Sequence, residues 1–464
     1  MRTLFKHQEE GVRFLQDKGR AILADQQGLG KTLQAIMASE GKTLIVCPAS
    51  LKLNWMREIK EEKPDAIVVV LSGRNPGDEG FDAFYSAQFL IINYDIMEGW
   101  APVLAAEAEK GTIQTVILDE AHYIKGQSKR TKATLSVTER AQRVYCLSGT
   151  PVMNRPIELF NLLKAIHHPL AADPNRTGSA LRREYGVRYC GAYWHTMGHI
   201  GFWDESGSTR IPELKEKLRG YMLRRTKAEV LDLPEKIVST MDCELTGEWK
   251  HAYDNAWDIY LDWLAAHPEG KNIENIMSAQ QLVELMKLKQ VCSQAKVPMV
   301  VEQVKEANAE GEGVIIFTQF TKTLDELRKT LGPVVGTANI YTLDGSNNMQ
   351  EREHAVRGFQ GSTVPAVFIG NIKAAGVGIT LTKASTVIFA DMDWSPAVNE
   401  QAEDRAHRIG QTGTVNVYYY ICRGTIEEDI ARVLLDKQGT IGELMGEETV
   451  QKALAEILAK KAVE

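Results

Sequence analysis

Short apolar runs alternate with helix-length amphipathic segments over the first 166 residues. Runs at Ala21–Ala24, Thr43–Cys47, Ile67–Leu71, Phe89–Asn93, Thr115–Leu118 and Arg143–Ser148 predict buried strands. Lys31–Glu40, Leu51–Glu61 and Pro156–Ile166 predict helices between or after them. Such alternation is the mark of a parallel sheet wrapped by helices. From about 167 to 240 the pattern gives way to a Gly-, Arg- and aromatic-rich stretch with few strand signals, then to helix-like sequence as far as about 292. A second alternating block begins at Gly313, with strands predicted at Val314–Phe317, Ile340–Leu343, Ala366–Gly370, Thr386–Ala390 and Val415–Cys422. Helices are predicted there at Leu324–Leu331 and Pro396–Arg408, and a helical tail from Thr425. The expected fold is α/β: two tandem parallel-sheet lobes with a helical insertion between them. The expected divisions are 1–166, 167–292, 293–437 and a tail at 438–464.

Composition alters this picture little. At 464 residues the chain is too long for one core. No apolar run is long enough to span a bilayer, and charges interrupt the N-terminus where a signal peptide needs an apolar stretch. Six scattered cysteines read as reduced thiols, so an intracellular, cytoplasmic protein is expected. The net charge of −7 argues against an indiscriminate nucleic-acid coat. Yet Arg176–Lys236 holds 12 Lys/Arg against 8 Asp/Glu, so positive charge is concentrated there.

Three segments carry chemistry. Asp25-Gln26-Gln27-Gly28-Leu29-Gly30-Lys31-Thr32 follows a predicted strand and opens a helix. Glycines there let backbone N–H groups approach phosphate oxygens, with Lys31 for the outer phosphates and Thr32 for magnesium. Asp25 stands where the usual pattern has glycine. Asp119-Glu120-Ala121-His122 follows the run Val116-Ile117-Leu118, which places carboxylates at a strand's C-terminal end. Asp119 suits the metal and Glu120 the attacking water. Gln401, Arg405 and Arg408 are spaced i, i+4, i+7 and so share a face of the predicted helix. Two arginines held there suit the charge that develops at a γ-phosphate. Each segment also has an ordinary reading: a strand–helix turn, a solvated acidic strand end, a basic helix face.

Taken in order, these segments resemble the Swi/Snf-type branch of the superfamily-two helicase-like ATPases. Leu4-Phe5-Lys6-His7-Gln8 is similar to that family's adenine-recognition segment, with Gln8 as base reader. Cys47-Pro48-Ala49-Ser50-Leu51 with Trp55 resembles its first DNA-contact motif, and Ile92-Asn93-Tyr94 the second. Leu147-Ser148-Gly149-Thr150-Pro151 resembles the segment coupling hydrolysis to DNA. In the second lobe the resemblance rests on Ile316–Phe320, Leu343–Ser346 with Arg352, Ala375–Leu381 and Asp391–Pro396. It runs from residue 4 to about 437. The insertion (Tyr185–Cys190, Gly207-Ser208, Glu213-Leu214, Met222–Arg225) is similar to the annealing-helicase-like members.

The resemblance implies two RecA-like lobes and an ATP held between them with magnesium. Lys31, Asp119, Glu120, Arg405 and Arg408 would be catalytic; Gln8, Gly28, Gly30, Lys31, Thr32, Gln401 and Gly378 would bind the nucleotide; Thr32 and Asp119 would hold the metal. It further implies DNA as partner, duplex or fork, contacted at Ser50, Asn93, Tyr94, Lys125, Thr318, Lys373 and Trp394, with no membrane role. The implied activity is DNA-stimulated ATP hydrolysis driving movement along duplex DNA. A strand-separating DNA or RNA helicase, or a nucleotide-gated clamp with little turnover, are the alternatives. Gln26-Gln27 replaces the usual Glu-Met, Gly126 a common Asn, and Ala375 a frequent glycine. With Gln8 seven residues from the start, no accessory module is expected before it.

Other clusters have two readings. Tyr185, Tyr189, Tyr193, Trp194, Phe202 and Trp203, interleaved with Arg182, Arg183, Arg188, His195 and His199, suit either a nucleic-acid grip or a small local core. Cys190, His195 and His199 offer too few ligands for a zinc site. Arg224, Arg225 and Lys227 suit DNA phosphates or, more simply, an anchoring ion-pair cluster. Trp249, Trp257 and Trp263 read as packing residues, and Ile441–Val463 as a solvated amphipathic helix.

Overall fold

The protein was analysed as a computed structural model, which describes residues 2–77, 81–149, 156–197, 200–205, 207–266, 279–376 and 378–435. Thr150, Pro151, His199, Val377 and the expected tail at 438–464, with its helix at Ile441–Val463, lie outside the described residues, while the helix expected from Thr425 is present at Ile426–Leu435. The chain forms two compact units, Met1–Asp232 and Leu233–Glu464. Their boundary falls inside the segment expected as a continuous insertion.

In the first unit, β1 (Arg20–Leu23), β2 (Lys42–Cys47), β3 (Val68–Val70), β4 (Phe89–Asn93), β5 (Ile113–Leu118) and β6 (Arg143–Leu147) match the predicted runs closely. A ribbon follows, β7 (Tyr193–Met197) and β8 (Ile200–Asp204), and then β9 (Met222–Leu223). The main sheet is β3-β4-β2-β5-β6-β1-β9, and every pairing in it is parallel. β2 and β4 are almost wholly buried along their length, which is why they read as unbroken apolar runs rather than alternating ones. β9 went unpredicted because two residues leave no periodicity to read. It pairs with β1 through Ile22↔Met222 and Leu23↔Leu223, returning the chain to the phosphate-loop strand.

The second unit holds β10 (Lys236–Cys243), β11 (Gly313–Thr318), β12 (Ile340–Leu343), β13 (Val367–Asn371), β14 (Ala384–Phe389) and β15 (Val415–Cys422). Its sheet is β10-β15-β14-β11-β13-β12, again parallel throughout. β10 lies within the stretch read as strand-poor. It is an edge strand exposed along much of its length, so the polar KIVSTMDC carries no apolar run. Pairing from Lys236↔Val415 to Cys243↔Cys422 places the start of this unit's fold well before residue 293. The expected helix at Pro396–Arg408 ends at Glu403. Beyond it the N–H groups of Arg405 and Ala406 reach back only three residues, and the Arg405 carbonyl accepts from Leu381 N–H. No helix among the described residues is long and apolar enough to cross a membrane.

Candidate functional site

In a parallel sheet all strand C-termini lie along one edge, so the loops after β1, β2, β4, β5 and β6 gather there. That edge carries most of the first unit's expected site residues. Gly28 (φ 84°) and Gly30 (φ 77°) hold left-handed conformations, and Gly30 leads into the helix Lys31–Ala38. A Cβ on Gly30 would come 2.4 Å from Gln8 Nε2. Gln8 is buried against this loop, its Oε1 accepting from Phe5 N–H (3.1 Å) and its Nε2 donating to Leu29 O (3.3 Å). Lys31 Nζ turns onto the loop, donating to Asp25 O at 2.6 Å. Gly149 backs the loop too, since a Cβ there would lie 2.5 Å from Gln27 Cγ.

Asp25, the departure from glycine, is explained by Arg225. The buried Arg225 guanidinium forks onto Asp25, Nε to Oδ1 at 3.0 Å and Nη2 to Oδ2 at 2.6 Å, and also donates to His7 O and Gln34 Oε1. Of the two readings of Arg225, the anchoring one holds: it ties β9's exit to the phosphate loop.

Asp119 follows β5, its N–H donating to Val46 O at 2.8 Å. Its carboxylate is largely buried: Trp55 Nε1 donates to Oδ2 at 2.7 Å and Glu120 N–H to Oδ1 at 2.9 Å. Tyr94 OH donates to the Asp119 carbonyl at 2.9 Å. Burial, then the neighbouring Glu120, push the Asp119 carboxyl up to about 6, against the opposing pull of Trp55 and Lys31. Glu120 takes φ 47°, a left-handed conformation that costs a non-glycine residue roughly 1–3 kcal/mol. His122 Nδ1 lies 3.3 Å from Glu120 Oε2.

These residues fit a nucleotide with magnesium. Positive-φ glycines, a lysine and a helix N-terminus suit phosphates. The Thr32 hydroxyl and the Asp119 carboxylate are hard oxygen donors, and two adjacent carboxylates leave negative charge for a cation to offset.

In the second unit, Arg405 and Arg408 converge, though not on a helix face as the spacing predicts. Both lie in the turns after Glu403, and their Nη1 atoms donate to one acceptor, Ile379 O, at 3.3 and 3.2 Å. Arg405 Nε also donates to Gln401 O at 2.9 Å. Gly378, at φ 73°, immediately precedes that shared carbonyl. Gly378, Gln401, Arg405 and Arg408 are thus brought together in this unit.

The expected DNA contacts divide. Ser50, Lys125 and Lys373 are exposed. Asn93, Tyr94, Thr318 and Trp394 are buried, so their side chains are not surface contacts here. Asn93 Oδ1 accepts from Lys52 Nζ (3.1 Å), Thr318 Oγ1 donates to Asp391 Oδ2 (2.5 Å), and the Trp394 ring lies 4.6 Å from Lys289 Nζ. Each of the four ties its strand end to a neighbouring loop or helix, Tyr94 through its hydroxyl to the Asp119 carbonyl. Trp55, expected within a DNA-contact motif, is fully buried and donates to Asp119.

Sequence reasoning also missed a buried network under the second unit's strand ends. Lys289 donates to Gln319 Oε1 (2.5 Å) and Met392 O (2.7 Å), Ser293 to Asp391 Oδ2 (2.8 Å), and Lys296 to both Glu427 oxygens (2.7 and 2.8 Å). A signal was present: Leu285, Leu288, Lys289, Cys292, Ser293 and Lys296 follow helical spacing, which puts the lysines on the apolar stripe.

Residues 7–297 match the SNF2-related domain, and residues 295–410 match the helicase conserved C-terminal domain. A mouse protein named DNA annealing helicase and endonuclease ZRANB3 is 31% identical over 459 residues, 95% of this chain and 41% of that protein. A Xenopus tropicalis protein named SWI/SNF-related matrix-associated actin-dependent regulator of chromatin subfamily A-like protein 1 is 31% identical over 458 residues, 95% of this chain and 45% of its own length. The chain thus spans less than half the length of these relatives. A Sulfolobus solfataricus SWI2/SNF2 ATPase core solved in complex with dsDNA aligns over 99% of this chain and 96% of its own, with 24% identity and a TM-score of 0.43. With its phosphate loop, acidic pair and twin arginines in the family's order, the chain belongs to the SNF2-related helicase-like ATPases.

Proposed function

We propose that this chain is an ATP-driven translocase on double-stranded DNA. The observation that supports the reading is that the candidate groups gather in two clusters, one beside each of two separate parallel sheets. The first supplies Lys31, Thr32, Asp119 and Glu120; the second supplies Gln401, Arg405 and Arg408 beside Gly378. Neither half suffices alone. Lys31 takes charge from the outer phosphates, and Gln8 reads the base. Glu120 orients the attacking water and takes its proton. Arg405 and Arg408, which share the Ile379 carbonyl here, are the groups suited to stabilise charge on the γ-phosphate. Magnesium, held by Thr32 and Asp119, would neutralise charge on the phosphate oxygens.

DNA is the partner, as duplex or fork, with Ser50, Lys125 and Lys373 as the exposed groups suited to its backbone. Six buried free thiols suit a reducing, intracellular setting. The test is the ATP hydrolysis rate with duplex DNA, single-stranded DNA and RNA. Duplex should stimulate most. Stimulation by RNA or single strands alone would favour a strand-separating helicase, and no turnover on any of them a nucleotide-gated clamp.

A further inference from the structure

The aromatic residues of the insertion part into two groups. Tyr185 and Tyr189 join the first unit's core, their hydroxyls donating to Pro156 O (2.7 Å) and Glu213 Oε1 (3.0 Å). Tyr193 and Trp194 do not. They lie on the two-stranded β7–β8 ribbon, which belongs to neither large sheet. Trp194, 62% exposed, is the most exposed large apolar side chain among the described residues, and Tyr193 is 54% exposed.

Local geometry makes Trp194 a platform rather than a loose ring. A Cβ on Gly201 of the facing strand would come 2.5 Å from the indole, so the ring lies against β8 and turns its other face outward. Trp194 stands opposite Trp203, over which the Arg183 guanidinium sits at 5.4 Å. Tyr193, on the opposite face of the ribbon, shares that face with His195, their rings 6.0 Å apart. The ribbon's base is held by Arg182 on Glu205 at 2.6 Å.

We propose that the β7–β8 ribbon is a stacking site for unpaired nucleobases, with Trp194 as principal platform, Tyr193 on the other face as a second, and Arg183, over the neighbouring Trp203, for the phosphate backbone. A protein or lipid partner would call for one contiguous apolar patch. Here the rings point to opposite faces and alternate with polar and cationic groups. A base needs only one open π-face, and its phosphate takes the neighbouring cation. The surplus of 12 Lys/Arg over 8 Asp/Glu in Arg176–Lys236 has the matching sign. The inference rests on the reading of DNA as partner and names the element that would take the unpaired strand of a fork.

The test uses the full chain, a blunt duplex, and the same duplex with a single-stranded arm of roughly a dozen nucleotides carrying 2-aminopurine. The wild-type protein should bind the armed DNA more tightly and quench the probe. Trp194→Ala should weaken armed-DNA binding about tenfold and abolish quenching. It should leave blunt-duplex affinity and duplex-stimulated hydrolysis unchanged, and Trp194→Phe should keep most of the effect. Arg183→Glu is the second variant, expected to weaken the arm alone. Equal binding of both DNAs by wild type and Trp194→Ala, or an equal loss on both, would overturn the ribbon site. A wild-type protein whose hydrolysis ignores DNA would instead remove the translocase reading.

Discussion

Trp55 shows how one residue's role separates from the motif around it. Its indole N–H is the side-chain donor to Asp119 Oδ2, while Glu120 N–H holds Oδ1. Trp55→Phe keeps the ring and deletes the donor. We expect the magnesium concentration for half-maximal hydrolysis to rise several-fold while metal-free nucleotide binding is unchanged; an unaltered magnesium requirement would remove the positioning role. Asp119 itself gives a pH prediction. Its carboxyl sits at about 6 rather than 3.8 because burial, and then Glu120, disfavour the charge. The folded state therefore holds its proton more tightly than the unfolded state. The sign follows: metal-free stability falls as pH rises from about 4 to about 6 and stays lowered above that window. Asp119→Asn should escape this fall. Denaturant unfolding in chelator at pH 4 and pH 7 should show wild type losing stability relative to the variant, and a constant gap would contradict it.

At the scale of elements, the return of β9 to β1 is fastened by Arg225 on Asp25. Arg225→Ala leaves a buried carboxylate without its cation and should destabilise the first unit by about 3–5 kcal/mol in urea unfolding. A loss under 1 kcal/mol would show that the fork contributes little. This element scale is also where sequence legibility divided. β2 and β4 were readable because burial on both faces makes them nearly continuous apolar runs. β10 was not, because an edge strand keeps polar positions. The phosphate loop and Asp119-Glu120 were readable since their chemistry is local in sequence. The Arg225–Asp25 fork and the Trp55–Asp119 bond were not: they join residues 200 and 64 positions apart, and only the fold brings them together. The twin arginines were found by a spacing argument that assumed a helix. They converge because both reach the Ile379 carbonyl from a turn.

For the whole molecule, the proposed reaction draws on groups from both units. Residues 1–232 form a compact unit with its own sheet and core, so this fragment should fold when expressed alone. It should bind nucleotide but turn it over at least a hundredfold more slowly than the full chain, since it lacks Arg405 and Arg408. Full-rate hydrolysis by the fragment would contradict this dependence on both units. The most direct test of the central claim is DNA-stimulated ATP hydrolysis by Arg408→Ala, measured beside wild type and Lys31→Ala, with nucleotide affinity and melting temperature taken on the same samples. The account predicts that duplex DNA accelerates the wild-type protein, and that both variants fold normally but fall at least a hundredfold in rate. Arg408→Ala should still bind nucleotide. Wild-type turnover by a folded Arg408→Ala variant would contradict it.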